Sequence, residues 1–337
     1  MAQLIVARAV NIGASILLEG IFTFVVVILA PAGRAGSNDF QEIERRLLRL
    51  AVWNLVAALL SALLWFFLEV ASMSGLPVTG GFSTTAWQTI VFETQFGRVW
   101  QLRLGLIAAA LALVAVALAQ VKVPRRLMLV LWLLSVVLLV SLAWISHAAA
   151  AGAHPVGLLG DGIHLCAAGV WIGGLVPLVI FFARVRGSVS LGEAVGRVLQ
   201  RFSTLSLCCV CVLVVSGLSN SWLLVGSIHA LFTTSYGRLL LFKLALFAIL
   251  IGFGARNRFL IKAKLLKTPV GPHLLPQLHR NVLCEVCLGA AVVAIVACLG
   301  VTPPARTTVV SRSDRVIRVS AKSPNSADTP GARELPT

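Results

Sequence analysis

The chain has 337 residues, of which 58% are hydrophobic and only 12% charged, with a mean hydropathy of +0.96. Soluble globular domains carry about a quarter charged residues, so this composition excludes a water-solvated protein of this size and excludes disorder except locally. The 28 Lys and Arg against 12 Asp and Glu give a net charge of +16, which in a soluble protein would point to nucleic acid; in so apolar a chain, basic residues also serve to mark one face of a membrane.

A spanning helix takes roughly 20 mostly apolar residues at about 1.5 Å each. Eight stretches meet that length: Ala9–Ala30, Leu50–Ala71, Val99–Ala119, Leu127–Ser146, Leu158–Phe182, Phe202–Leu224, Leu239–Phe259 and Val282–Val301. They are apolar all round rather than on one face, as lipid demands of a helix. The alternating ten-residue segments of a membrane β-barrel are not seen. The first stretch has Arg8 ahead of it and Glu19 in its middle; it is longer than the apolar core of a cleaved signal and is read as helix 1. The predicted fold class is therefore all-α, a polytopic membrane protein of about eight transmembrane helices.

Basic residues fall in alternate loops. Loop 1–2 holds Arg34, Arg45, Arg46 and Arg49, and loop 3–4 holds Lys122, Arg125 and Arg126. Loop 5–6 holds Arg184, Arg186, Arg197 and Arg201, and loop 7–8 holds Arg256, Arg258, Lys262, Lys264, Lys267 and Arg280. The intervening loops show only Arg98 and Arg238. The positive-inside rule places the odd-numbered loops in the cytoplasm and both termini in the periplasm. The charge becomes a topology label, and no nucleic acid is needed to explain it. From Pro303 onward the chain is rich in Ser, Pro and Thr, the composition of a solvated, disordered tail.

The segment Thr94-Gln95-Phe96-Gly97-Arg98-Val99-Trp100-Gln101-Leu102-Arg103 opens helix 3, and Thr234-Ser235-Tyr236-Gly237-Arg238-Leu239-Leu240-Leu241-Phe242-Lys243 opens helix 7. The likeness suggests two parallel four-helix repeats. The expected division is 1–142 for the N-terminal half, 143–304 for the C-terminal half and 305–337 for the extracytoplasmic tail. Thr94 and Thr234 suit helix N-caps. Arg103 and Lys243 lie about one turn inside the apolar runs, where a charge snorkels outward or pairs with an acid; Glu69 and Glu93 are the candidate partners.

Histidines gather at the face without basic loops: His147 at the end of helix 4, His154 in loop 4–5, His164 inside helix 5 and His229 in loop 6–7. Imidazole is the commonest side-chain ligand for copper, zinc and haem iron. His147, His164, His154 and His229 are thus the candidate metal ligands, with Asp161 placed to orient one of them. Met73, in outer loop 2–3, is a soft donor of the kind Cu(I) accepts. A second, inner site is conceivable at Cys208, Cys209 and Cys211 of helix 6 with Cys284 and Cys287 of helix 8; the same residues also serve as small apolar filling. Glu19 and Glu285, within the membrane, either relay protons, neutralise a passing cation, or pair with Asn54 or a basic loop residue. No P-loop, Gly-x-Ser-x-Gly, His-Glu-x-x-His or Rossmann glycines occur, so no enzyme activity is expected and an ATP-driven pump in this chain alone is excluded.

Residues His147-Ala148-Ala149, His164, Trp171-Ile172-Gly173-Gly174-Leu175-Val176-Pro177-Leu178, Tyr236 to Lys243, Asn257-Arg258, Glu285 and Pro303-Pro304 carry a resemblance. The chain resembles the copper resistance protein D (CopD) family of bacterial inner-membrane proteins, over about Ala143 to Pro304 and more weakly in helices 1–4. The resemblance implies an eight-helix inner-membrane protein of copper homeostasis that moves copper ions from periplasm to cytoplasm, Cu(I) and Cu(II) not being distinguished. It also implies a separate periplasmic CopC-type copper-binding protein as partner, since no soluble domain is evident here. On this reading copper docks at His147 and His164 and enters between the two halves. Two alternatives keep the histidines: a b-type haem protein with His147 and His164 as axial pair, and a copper delivery or assembly factor.

Overall fold

The apolar stretches fold as helices because no water is available in lipid to satisfy backbone N–H and C=O groups, so each segment must satisfy its own. The computed structural model describes residues 2–33, 37–74, 88–145, 155–185, 187–261 and 274–305. His147 and His154, and the tail beyond residue 305, lie outside the described residues. Among the described residues eight helices are long and apolar enough to cross a membrane: α1 (Ala2–Ala32), α2 (Asn38–Ser72), α3 (Gln95–Ala119), α4 (Arg125–Ile145), α5 (Gly157–Val185), α6 (Val189–Trp222), α7 (Ser235–Phe259) and α8 (Leu274–Leu299). Large side chains exposed along them, such as Trp53, Leu60, Leu218, Trp222 and Phe242, are apolar, as a lipid-facing surface requires.

The helices overrun the apolar stretches, most at α2 and α6. There the chain stays helical beyond the lipid and carries Asp39, Glu42, Arg45 and Arg46, or Glu193 and Arg197, on its extra turns. This basic end is cross-tied. Ser188 and Ser190 each donate a 2.6 Å hydrogen bond to Asp39, Arg184 pairs with Glu42 at 3.1 Å, and Arg197 Nε donates to the Ala32 carbonyl at the end of α1 at 2.8 Å. A cation at a helix C-terminus is favoured by the orphan carbonyls there.

α1 and α5 form the centre. In α1, 78% of the most apolar window is buried and in α5 61%, against 11% in α7. They cross backbone to backbone: a Cβ on Gly20 would lie 2.0 Å from the Gly173 carbonyl carbon, and one on Gly173 would lie 2.1 Å from the Ile16 oxygen. Small residues at a membrane helix crossing permit this approach. α8 joins the same level, where a Cβ on Gly289 would meet Ile172 Cγ2 at 2.6 Å.

Both copies of the ten-residue motif fold alike. Thr94 Oγ1 accepts from Gly97 N at 3.0 Å, and Thr234 Oγ1 accepts from Gly237 N at 3.0 Å. Each hydroxyl donates back to the preceding helical turn, to Ile90 O at 2.6 Å and Ala230 O at 2.7 Å. Glycine is required because that turn lies against it: a Cβ would come within 2.3 Å of Ile90 O at Gly97 and 2.2 Å of Leu231 O at Gly237.

The two basic residues that close the motif part company. Arg103 is fully buried and binds neutral oxygens rather than Glu69 or Glu93. Its guanidinium donates to Leu138 O (2.7 Å), Ser141 Oγ (2.6 Å), Asn11 Oδ1 (2.7 Å) and Ser15 Oγ (3.3 Å). Lys243 instead faces a cavity.

Candidate functional site

At the end of the bundle opposite the basic loops, seven helices, all but α3, leave a cavity of about 210 Å³. Asp161 and His164 come from α5, Asn220 from α6, Lys243 from α7, and Arg8 and Trp65 from α1 and α2. Three residues apart on α5, Asp161 and His164 share one face; Ser216 and Asn220, four apart on α6, present the matching face. Asn220 Nδ2 donates to Asp161 Oδ1 at 2.6 Å. His164 Nδ1 lies 2.9 Å from Ser216 Oγ, and that hydroxyl gives its single proton to Val212 O at 2.6 Å. Ser216 can therefore only accept from the imidazole, which assigns the proton to Nδ1 and leaves the Nε2 lone pair for a metal.

The cavity also carries positive charge that the loops alone do not reveal. Lys243 stands near Asp161 and His164, and the Arg8 guanidinium lies 4.5 Å over the Trp65 ring, whose Nε1 donates to Glu69 at 3.2 Å. Of the four expected ligands, His164 lines the cavity. His229 is exposed on the short helix Ile228–Thr233 and is not brought to it, because that helix is the capping turn ahead of α7. His147 and His154 lie outside the described residues. Ser216, Asn220 and Lys243 were not anticipated as neighbours of His164; the readable signal was the cluster Ser216, Ser219, Asn220 and Ser221 that follows the apolar run 207–215 of α6.

A second cavity of about 250 Å³ opens toward the basic end, lined by Trp171, Ser203, Ser206, Asn257, Arg258 and Glu285 among apolar side chains of α5 to α8. Glu285 accepts a hydrogen bond from Asn257, and Asn257 Oδ1 accepts from Asn281 at 2.9 Å. Arg258 donates to the Ser203 carbonyl and hydroxyl, both at 2.7 Å. Asn54 is not the partner of either acid: it donates to Ala14 O at 2.7 Å, while Glu19 accepts from Thr23 at 2.7 Å. Cys208, Cys211, Cys284 and Cys287 are exposed, turned out from the bundle. Among the described residues no three or more His, Cys, Asp or Glu side chains are grouped to hold a metal.

These features define a polytopic α-helical membrane protein with a histidine-bearing polar cavity at one end. Comparison with known proteins gives its family. Residues 1–156 match the copper resistance protein D-like N-terminal domain, and residues 196–299 match copper resistance protein D. The inner membrane protein YebZ of Escherichia coli K12 is 31% identical over 274 residues, 78% of this chain and 87% of that protein. The copper transport protein CutJ of Bacillus subtilis 168 is 27% identical over 262 residues, 76% of this chain and 46% of its own. Copper resistance protein D of Pseudomonas syringae pv. tomato is 30% identical over 183 residues, 52% of this chain and 56% of its own. The chain thus spans about half the length of the latter two. No solved structure matches it. The chain belongs to the copper resistance protein D family and is a multi-pass protein of the inner membrane.

Proposed function

We propose that this protein serves copper homeostasis by carrying copper ions from the periplasm across the inner membrane. The observation that carries the reading is the His164 imidazole, held by Ser216 with Nε2 as its free donor in a cavity that also contains Asp161. Family membership and the relatives named for copper transport and copper resistance support the same cargo. With the basic loops in the cytoplasm, this cavity faces the periplasm, as do both termini, where a CopC-type copper-binding protein hands over the ion. His147 and His154, close in sequence to α5, complete the ligand set in this scheme. Copper held there competes with Lys243 for Asp161.

The test is copper accumulation in cells expressing the wild type, His164→Ala, and the double variant His147→Ala/His164→Ala at equal membrane abundance. Accumulation falls severalfold in both variants, and the purified wild type carries copper without a haem absorption band. Equal accumulation in all three would overturn the role of these histidines, and a haem band lost with His164 would overturn copper as the cargo.

A further inference from the structure

The four helices that line the second cavity, α5 to α8, also line much of the first, at their opposite ends. α5 supplies His164 and Leu165 to one and Trp171 and Leu175 to the other; α7 supplies Lys243 to one and Ile251 to the other. From Leu165 to Trp171 the helix rises only about 9 Å, and from Lys243 to Ile251 about 12 Å. Against a hydrocarbon core about 30 Å thick, the partition between the cavities is thin. It is also apolar. Trp171, 3% exposed, closes edge-on against Phe247 with ring centroids 6.1 Å apart, and Ile172 fills the space left by Gly289. The first cavity reaches the seam between the two halves at Arg8, Ile12 and Trp65, but at the level of the partition that seam is closed, since α1 and α5 touch backbone to backbone at Gly20 and Gly173.

We propose that the cavities are the two ends of one interrupted cation path through α5 to α8, closed by Trp171 against Phe247, with Glu285 as the receiving group at the basic end. Beyond the first cavity this moves the route from between the halves, where the sequence had suggested it, to within the last four helices. It rests on the copper-transport reading for the identity of the ion. Glu285 is buried, is held by Asn257, and faces the hydroxyls of Ser203 and Ser206 across the cavity. Arg258 is drawn to the α6 wall by its bonds to Ser203. Oxygen ligands hold a soft ion more weakly than imidazole does, and weak binding is what release from a conducting path requires.

Ser206 is a suitable reporter, because its hydroxyl has no hydrogen-bond partner among the described residues and Ser206→Cys removes none. Full-length protein in right-side-out and inside-out membrane vesicles is treated with a membrane-impermeant thiol reagent, and the signal of the same chain without Ser206→Cys is subtracted to remove the native thiols. With Trp171 present, residue 206 is labelled from the cytoplasmic side only. Trp171→Ala, or independently Phe247→Ala, raises labelling from the periplasmic side at least tenfold, while Trp171→Phe stays closed. Periplasmic labelling unchanged in both alanine variants, or no cytoplasmic labelling of the parent, would overturn the path.

In proteoliposomes Glu285→Gln lowers silver(I) flux at least tenfold, while silver(I) binding at the separate His164 cavity persists; undiminished flux would overturn the assignment of Glu285. The two readings separate cleanly. Labelling as described without copper or silver flux leaves the path standing and removes the cargo, whereas copper flux with both alanine variants closed removes the path and leaves the cargo.

Discussion

Ser216→Ala isolates what the protein does to its histidine. The wild-type hydroxyl donates to Val212 O at 2.6 Å and so accepts from His164 Nδ1 at 2.9 Å. Alanine removes that acceptor, and the imidazole is then free to rotate and to carry its proton on Nε2, the nitrogen the metal needs. Loss of the group that orients a metal-bound histidine typically costs 10- to 100-fold in affinity, about 1.4–2.8 kcal/mol. The fold loses two hydrogen bonds, to Val212 O and from His164, about 1 kcal/mol each, and Ser→Ala leaves no large void. Ser216→Thr retains the hydroxyl and restores most of the affinity. The assay is competition for Cu(I) between the detergent-purified full chain and a colorimetric chelator. Wild-type affinity in Ser216→Ala, alongside a loss in His164→Ala, would refute the argument that the serine fixes the tautomer.

Lys243→Met removes the ammonium that shares Asp161 with an incoming cation, so Cu(I) binding tightens about fivefold, a Coulomb effect on the order of 1 kcal/mol, while Asp161→Asn weakens it; the same competition assay reads both, and the reverse order would contradict the site. Gly20→Ala and Gly173→Ala force a methyl into backbone 2.0–2.1 Å away, so each lowers the thermal unfolding midpoint in detergent by an amount at or above the upper end of overpacking costs, about 3 kcal/mol. Thr94→Ala and Thr234→Ala each cost about 1 kcal/mol, the usual worth of an N-cap, and the two shifts match because the caps share one geometry.

The spans were readable from composition because lipid filters side chains by polarity over a fixed length. Their ends were not, since α2 and α6 continue as ordinary charged helices at the basic end, where the filter no longer acts. His164 was legible as a polar residue within an apolar run, and Asp161 as its neighbour on one turn. Lys243 and Ser216 were visible as residues but not as its neighbours, because antiparallel packing of α6 on α5 and the placement of α7 decide that. Glu285 shows the same limit: its partner Asn257 stands 28 positions away, and nothing local distinguishes it from Asn54, which caps a carbonyl of α1 instead.

The two copies of the motif explain why the histidine-bearing cavity forms around one cation and not the other. Each copy delivers a cation one turn inside the membrane, and what faces that cation decides the outcome. Around Arg103, α1 presents Asn11 and Ser15, α4 presents Ser141 and the Leu138 carbonyl, and together they accept from both terminal nitrogens of the guanidinium, while its Nε has no partner among the described residues. A planar guanidinium suits that role because its donors are fixed in one fork. At the second copy the cation is a lysine, a single point charge on a flexible stem, and α5 faces it with His164 and Asp161 across open volume. The arginine is therefore held as structure, while the lysine leaves a carboxylate and an imidazole lining open volume.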